Sequence, residues 1–296
     1  MMEEQRFGPV VFVPGENSGR YPFSHSLYIE ADIKVLIDAA SDEKRLLELR
    51  DGPGVDAVWL SHWHEDHFKY LHLFDDRELW MSKEDAAPLA GLESLFDAYG
   101  MNAQERVAWK PILEQAFHFK PWKPHRLFNG QQIVDMGGVT VEVIPTPGHT
   151  PGHSALFFQE QGVLFLGDYD LSGFGPWYGD RDSNIDDTIA SVNRLRAIPA
   201  RVWIAAHEQG VFQDEPGDLW DRYLGVIHER EQKLLDLLKE PRTMSDIVEA
   251  YIIYGRKREP AEFYDFGERA LMGKHLERLI RNGMVVSDGA KYRRVQ

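Results

Sequence analysis

Three histidines and an aspartate are crowded into one short segment of this chain, directly after an apolar run. The run is Val55–Leu60, and the segment is Ser61-His62-Trp63-His64-Glu65-Asp66-His67. Crowding ionisable side chains is costly unless a cation compensates them. The H-x-H-x-D-H spacing therefore predicts a strand that ends at a metal site. Glu65, which lies between the donors, is expected to face solvent or to begin a helix.

Three further donors each follow another short apolar run: His149, Asp168 and His207. If these runs are strands that end at one edge of the sheets, all seven donors meet there. Seven nitrogen and oxygen donors are too many for one tetrahedral ion, but they suit two ions that share a carboxylate. Imidazole and carboxylate ligands suit zinc, iron or manganese. We expect two divalent ions, zinc first, with iron or manganese as alternatives.

The apolar runs predict an α/β (α+β) fold. They are short, rich in Val, Ile, Leu and Phe, and bounded by Gly, Pro or Asp, which favours strands. The predicted strands are Val10–Val13, Ser26–Glu30, Lys34–Ile37, Val55–Leu60, Val139–Ile144, Ser154–Gln159, Val163–Leu166 and Arg201–Ala206. Helical segments at Ser41–Leu49 and Asp186–Arg196 lie between some of them. Strands mixed with helices indicate sheets that are covered by helices.

The chain changes character near Gln213–Gly217. Residues 229–296 contain 14 basic and 12 acidic side chains, whereas residues 1–228 carry a net charge of −17. After an amphipathic helix at Asp218–Lys239, the pattern predicts helices at about 245–254 and 266–281 and a hairpin around Asp288-Gly289. This order is typical of a winged helix. We predict a catalytic domain, 1–217, and a small winged-helix-like domain, 218–296.

Residues 84–120 form an aromatic, helix-like segment within the first domain. Helices are predicted at Glu84–Tyr99 and Ala103–Phe117. We interpret the segment as a helical insertion that packs on the domain, with a lid as the alternative.

The donor pattern resembles the metallo-β-lactamase-fold hydrolase superfamily over roughly residues 8–212. The resemblance implies a four-layer αβ/βα sandwich. It also implies that His62, His64 and His149 hold a first metal, that Asp66, His67 and His207 hold a second, and that Asp168 bridges them. Hydroxide bridging the two metals would be the nucleophile. Asp66 would orient the water or accept its proton, and Asp38 would support the ligands from behind.

Weaker signals surround these motifs. His153, four residues after His149, is expected to support the ligands or to contact substrate, with a purely structural turn as the alternative. Phe174, Trp177 and Tyr178 follow Asp168 in a loop rich in glycine and proline. We predict that these three rings form a wall of the substrate pocket.

The superfamily resemblance leaves the substrate open, because one fold hosts many activities. We favour a small ester or thioester, as in hydroxyacylglutathione hydrolases of the glyoxalase II type. The C-terminal pattern is similar to that of β-lactamase-like endoribonucleases, which makes a phosphodiester in RNA the alternative. A hypothesis of another class is a non-catalytic regulatory module that binds metal and uses its winged helix to recognise DNA or a protein.

Charge and hydropathy limit the partners. A net charge of −15 argues against nucleic-acid binding over the whole surface, so RNA is not the favoured substrate. The chain has no cysteine, no long apolar run and an acidic start, Met1–Arg6. We expect a cytoplasmic protein that does not bind membranes and that acts on a small molecule. A homodimer formed through the tail is compatible with the sequence.

Overall fold

The apolar runs fold into two β-sheets, described over residues 2–295 by a computed structural model. The first sheet has seven strands in chain order: β1 (Gln5–Phe7), β2 (Val10–Val13), β3 (Ser26–Ile29), β4 (Val35–Ile37), β5 (Ala57–Trp59), β6 (Glu78–Ser82) and β7 (Arg126–Phe128). Its neighbours are antiparallel as far as β4 and parallel from β4 to β7.

The second sheet has six strands in the order β13-β12-β11-β10-β9-β8. Their bounds are β8 (Gln132–Asp135), β9 (Thr140–Pro145), β10 (Ser154–Phe158), β11 (Val163–Gly167), β12 (Val202–Ala205) and β13 (Val211–Phe212). Only β11 and β12 run parallel. Their carboxyl ends therefore lie side by side.

The central strands are buried on both faces. In β2, Val10 and Phe12 pack in the core between the sheets with Phe165 of β11. Val11 and Val13 of the same strand pack beneath the helices instead. Strands buried on two sides read as continuous apolar runs rather than alternating ones, which explains the pattern in the sequence.

Helices cover the outer face of each sheet. They are α1 (Glu43–Asp51), α2 (Glu65–Phe68), α3 (Leu92–Tyr99), α4 (Ala103–Gln115), α5 (Ile185–Arg196), α6 (Leu219–Leu237), α7 (Met244–Val248) and α8 (Ala261–Arg281). The first sheet packs against α1, α3 and α4, and the second against α5 and the start of α6. This layering confirms the predicted four-layer αβ/βα sandwich.

The insertion differs from its predicted form at one end. The first helix is predicted from Glu84, but α3 begins at Leu92 after a 3-10 turn, Ala87–Ala90. The Asp85 carboxylate accepts hydrogen bonds from Thr150 Oγ1 and from the Gly152 amide, both at 2.6 Å, which holds this stretch against the loop after β9. The second helix, α4, begins as predicted at Ala103, behind a capping box.

The chain after Gly217 contributes to both sides of the molecule. Trp220 and Tyr223 of α6 pack on the second sheet, while Phe266 of α8 packs against the helices on the first. A separate small core joins the end of α6 to α7, α8 and the hairpin β14 (Val285–Ser287) and β15 (Tyr292–Arg294). The division at 217/218 and the winged-helix interpretation remain predictions. Among residues 2–295, no helix is long and apolar enough to cross a membrane.

Candidate metal centre

The seven predicted donors converge at one edge of the two sheets. Each of the four donor-bearing loops begins where a strand ends, namely β5, β9, β11 and β12. The donor atoms form two groups, within each of which they lie no more than 4.8 Å apart. The first group is His62, His64, His149 and Asp168, and the second is Asp66, His67 and His207.

The first group is a tight cluster of imidazole nitrogens. His62 Nε2 lies 3.0 Å from His64 Nδ1 and 3.1 Å from His149 Nε2. Asp168 Oδ2 lies 3.2 Å from His149 Nε2 and 3.8 Å from His62 Nε2. All of these side chains are buried or nearly so.

The second group faces the other oxygen of the same aspartate. Asp168 Oδ1 lies 2.8 Å from His67 Nε2 and 3.2 Å from His207 Nε2. Asp66 Oδ2 lies 3.6 Å from His207 Nε2. The two carboxylate oxygens of Asp168 therefore serve different donor groups, which is the arrangement that a bridging ligand requires.

The outward ring nitrogen of each imidazole has an oxygen partner. His64 Nε2 lies 2.8 Å from Asp180, and His67 Nδ1 lies 2.9 Å from Asp38. Ser61 donates its hydroxyl proton to Asp38 at 2.7 Å, so its oxygen accepts from His62 Nδ1 at 3.0 Å. Two backbone carbonyls complete the set. The Trp177 oxygen lies 3.0 Å from His149 Nδ1, and the Gly19 oxygen lies 2.5 Å from His207 Nδ1.

These partners orient the imidazole rings and test whether a cation fits. When the outward nitrogen of a neutral imidazole donates a proton, the inward nitrogen presents a lone pair. The inward nitrogens of these histidines lie 3.0–3.1 Å apart, so their lone pairs repel each other unless a cation lies between them. Moreover, His67 Nε2 and Asp168 Oδ1 are buried and lie 2.8 Å apart, but their geometry is not that of a hydrogen bond, and neither atom has another hydrogen-bond partner among residues 2–295. The donor set therefore fits divalent metal ions.

Burial lowers and nearby carboxylates raise the pKa values of the buried histidines, so the balance differs from one donor to the next. Burial and the neighbouring imidazoles lower the pKa of His62 well below its usual range, which keeps it neutral and able to bind metal. Burial also lowers the pKa of His67, but Asp168 and Asp38 outweigh it and raise that pKa well above its usual range. A proton therefore competes with a cation for His67.

Asp38 contacts the outward nitrogen of His67, in the supporting position that the resemblance implies. Its two oxygens accept hydrogen bonds from the Ser61 amide at 2.8 Å, from the Ser61 hydroxyl and from His67. Asp38 adopts a left-handed backbone conformation, with φ of 55°. Aspartate tolerates this conformation better than most residues, and it aims the carboxylate at both partners.

His153 supports Asp168 by accepting a hydrogen bond from the Asp168 backbone amide. Its Nε2 accepts a hydrogen bond from the Asp168 amide at 3.1 Å, while Nδ1 lies 2.8 Å from Thr146 Oγ1. Gly167 has φ of 58°, and a Cβ at this position would collide with the His153 ring. The glycine before Asp168 therefore lets His153 approach the strand end.

A cavity of about 260 Å³ opens beside the donors. On one side it is lined by His64, Glu65, Asp66, His149 and Asp168. The remaining lining residues are all aromatic: Tyr21, Tyr99, Trp109, Phe174, Trp177, Tyr254, Phe263 and Phe266.

The structure places two of the three predicted wall residues at this cavity. Phe174 and Trp177 line it, but Tyr178 does not. Tyr178 points into the protein, where its hydroxyl lies 2.8 Å from His275 Nε2 and accepts from Arg230 at 3.0 Å. The prediction for Tyr178 is therefore wrong, because this side chain is buried against His275 and Arg230 instead of lining the cavity.

Glu65 is a site residue whose surroundings the sequence does not reveal. It begins α2 as expected, but it is buried rather than exposed to solvent. Tyr21 donates to its carboxylate at 2.9 Å, and Tyr99 donates to its other oxygen. Both tyrosines are far from Glu65 in sequence, so no local motif indicates the contact.

Comparisons with known proteins identify the family and several relatives. A family model described as the metallo-beta-lactamase superfamily matches residues 21–207. A hydroxyacylglutathione hydrolase from Haemophilus influenzae is 29% identical over 120 residues, which cover 38% of this chain and 56% of the relative. The beta-lactamase-like protein 2 homolog of Caenorhabditis elegans is 30% identical over 186 residues, covering 63% of this chain and 52% of the relative.

The chain thus spans about half the length of these curated relatives. A solved structure gives a longer match: a metallo-beta-lactamase family protein from Thermus thermophilus has a TM-score of 0.71 and 23% identity. That likeness covers 97% of this chain and 98% of the other, and it shows a shared fold that includes the C-terminal helices.

Proposed function

The chain belongs to the metallo-beta-lactamase superfamily, and from this membership we propose that it hydrolyses a small ester or thioester with two divalent metal ions. The observation that carries the proposal is the position of Asp168. Its Oδ2 faces the histidine cluster, and its Oδ1 lies 2.8 Å from His67 in the second group. A carboxylate shared in this way suits two ions bound side by side.

The residues that would hold each ion follow from the two groups. His62, His64 and His149 would hold one, and Asp66, His67 and His207 the other. Zinc is the first choice for nitrogen and oxygen donors of this kind, with iron or manganese as alternatives. Two such ions would lower the pKa of a shared water molecule and polarise the carbonyl oxygen of the substrate.

Asp66 is the residue to which we assign the proton transfer. It belongs to the second donor group and also lines the cavity, so it can contact both water and substrate. It orients the attacking water and accepts its proton. Hydrolysis joins the water oxygen to the acyl carbon, breaks the bond from that carbon to sulfur or oxygen, and passes the proton to the leaving group.

Two observations bear on the type of bond. The Haemophilus influenzae relative is named a hydroxyacylglutathione hydrolase, which supports an acyl substrate. The exposed Arg256, Lys257 and Arg258 favour a phosphodiester as the second candidate, because Arg258 lies 5.8 Å from the ring of the cavity residue Tyr254. A cation this close to a cavity residue could bind a phosphate of the substrate.

The test is a parallel assay on the intact chain loaded with zinc, iron or manganese. The substrates are a hydroxyacylglutathione thioester, a simple lactone, an activated phosphodiester and a short single-stranded RNA. We expect metal-dependent cleavage of the thioester or lactone. His64→Ala should reduce it by at least about 1,000-fold, whereas His228→Ala, which changes an exposed histidine, should not.

Other outcomes would replace the proposal. Cleavage of RNA alone would favour the phosphodiester alternative. Two tightly bound metals with no hydrolysis of any substrate, together with salt-dependent DNA binding, would favour a regulatory module.

A further inference from the structure

Aromatic rings from distant parts of the chain meet around the cavity. Tyr21 comes from the loop after β2, Trp109 from α4, Trp177 from the loop after β11, and Phe263 and Phe266 from α8. The ring of Phe263 lies 5.4 Å from that of Tyr21 and is stacked 5.5 Å from that of Trp109. The first turns of α8 therefore join the N-terminal loop to the insertion.

The polar atoms of three of the lining aromatic side chains, Tyr21, Tyr99 and Trp177, are bound to the protein itself. The hydroxyls of Tyr21 and Tyr99 both donate to Glu65. The Trp177 indole nitrogen donates to Asp180 at 3.0 Å. At these three residues the cavity is therefore lined by ring surfaces rather than by free hydrogen-bond donors.

The charge of the lining is equally one-sided. Within residues 2–295, no lysine or arginine side chain lines the cavity, while Glu65, Asp66 and Asp168 do. A substrate carboxylate held against these walls, away from the metals, would find no lysine or arginine side chain among the described residues that line the cavity. Burying an unpaired charge is strongly unfavourable, so the walls select against anionic acyl groups.

We propose that this cavity takes an uncharged, flat, apolar acyl group of one or two rings, and that Trp109, Phe263 and Phe266 are its specificity-determining residues. The inference rests on the proposed hydrolase function and specifies its substrate. A cavity of about 150 Å³ holds benzene, so the 260 Å³ found here has room for a larger ring system. Flat rings also pack favourably against aromatic walls.

The test compares thioesters that share one small neutral thiol, N-acetylcysteamine. The acyl groups are benzoyl, 4-carboxybenzoyl and acetyl, and each kcat/KM is divided by the rate of the uncatalysed hydrolysis. For the metal-loaded protein we expect benzoyl to exceed acetyl by at least about tenfold and 4-carboxybenzoyl by at least about 100-fold. Benzoyl and 4-carboxybenzoyl differ by one carboxylate, so this ratio isolates the effect of charge.

Neighbouring residues on α8 provide a matched pair of variants. Phe263 and Tyr264 are both aromatic and half-buried, but only Phe263 lines the cavity. Phe263→Ala should reduce the benzoyl-to-acetyl preference by about tenfold. Tyr264→Ala should leave that ratio within about twofold, and thermal unfolding of both variants reports any loss of folding.

A binding experiment separates this inference from the proposed function. The probe is the ketone analogue of the benzoyl thioester, in which CH₂ replaces sulfur, titrated by calorimetry with metal-loaded and metal-free protein. Because the walls rather than the metals select the ring, the ketone should bind at least about tenfold more tightly than its 4-carboxy derivative in both forms.

The outcomes are distinct. If this ketone preference is found but no thioester is hydrolysed, the hydrolase proposal fails and the ligand class stands. If thioesters are hydrolysed but 4-carboxybenzoyl or acetyl is equal to benzoyl, the ligand class is wrong and the hydrolase stands. Absence of both hydrolysis and ketone binding contradicts both.

Discussion

The metal centre and the aromatic cavity share a border, but the chain builds them differently. The donors lie in loops that directly follow strands of the sandwich, and each imidazole is fixed by a second, oxygen partner. The aromatic walls come from the N-terminal loop, the insertion, the loop after β11 and the C-terminal region. Rigid strands position the reactive groups, while peripheral segments shape the space in front of them.

This difference predicts that reaction and selectivity can be altered separately. Changes at the donors should abolish turnover for every substrate. Changes at the walls should alter the ranking of substrates.

The largest effect is expected for Asp168→Ala. The substitution removes the oxygens that face both donor groups, so we expect turnover to fall by at least about 1,000-fold and metal content to drop below two ions per chain. Mass spectrometry of bound metal and a thioester assay provide the measurement. The matched control is Asp182→Ala, which alters an exposed aspartate. Full turnover by the Asp168 variant with two metals bound would contradict the bridging role.

A smaller effect is expected for Asp38→Asn. The carboxylate accepts from Ser61 and His67, and an amide would replace one of its acceptors with a donor. Partners that orient metal-bound histidines typically contribute about 10–100-fold to affinity, so zinc affinity should fall by that factor in competition with a chelator. Unchanged affinity would show that Asp38 has only a folding role.

The smallest effects distinguish Tyr178 from Phe174. Tyr178→Phe removes a buried hydroxyl that contacts His275 and Arg230, so the free energy of unfolding should fall by about 1–3 kcal/mol with KM unchanged.

Phe174 is 41% exposed at the cavity. Phe174→Ala should raise KM and change the free energy of unfolding by no more than about 0.5 kcal/mol. Denaturant titration and steady-state kinetics decide between them. A raised KM for Tyr178→Phe would indicate that Tyr178 contributes to the substrate pocket.

The two regions are also unequally predictable. The grouping of the donors follows from the short spacing of His62, His64 and Asp66 and from the position of His149 and Asp168 after apolar runs. The strands that carry them are predictable because burial on both faces makes them continuously apolar. Strands such as β7, which holds a basic residue and the exposed Leu127, lack this pattern and escape prediction.

The aromatic walls could not be predicted in the same way. Tyr21, Trp109 and Phe263 are far apart in sequence and share no spacing. Their meeting depends on how α4 and α8 pack over the sandwich, which is a tertiary property. Within one loop, the sequence identifies three aromatic residues near Asp168 but not the contacts with His275 and Arg230 that bury Tyr178.

The most direct test of the central claim is anomalous diffraction from crystals of the zinc-loaded protein. The account predicts two zinc peaks about 3.5–4 Å apart, one among His62, His64 and His149 and the other among Asp66, His67 and His207, with one Asp168 oxygen bound to each. A single peak, or two peaks of which Asp168 contacts only one, would contradict it.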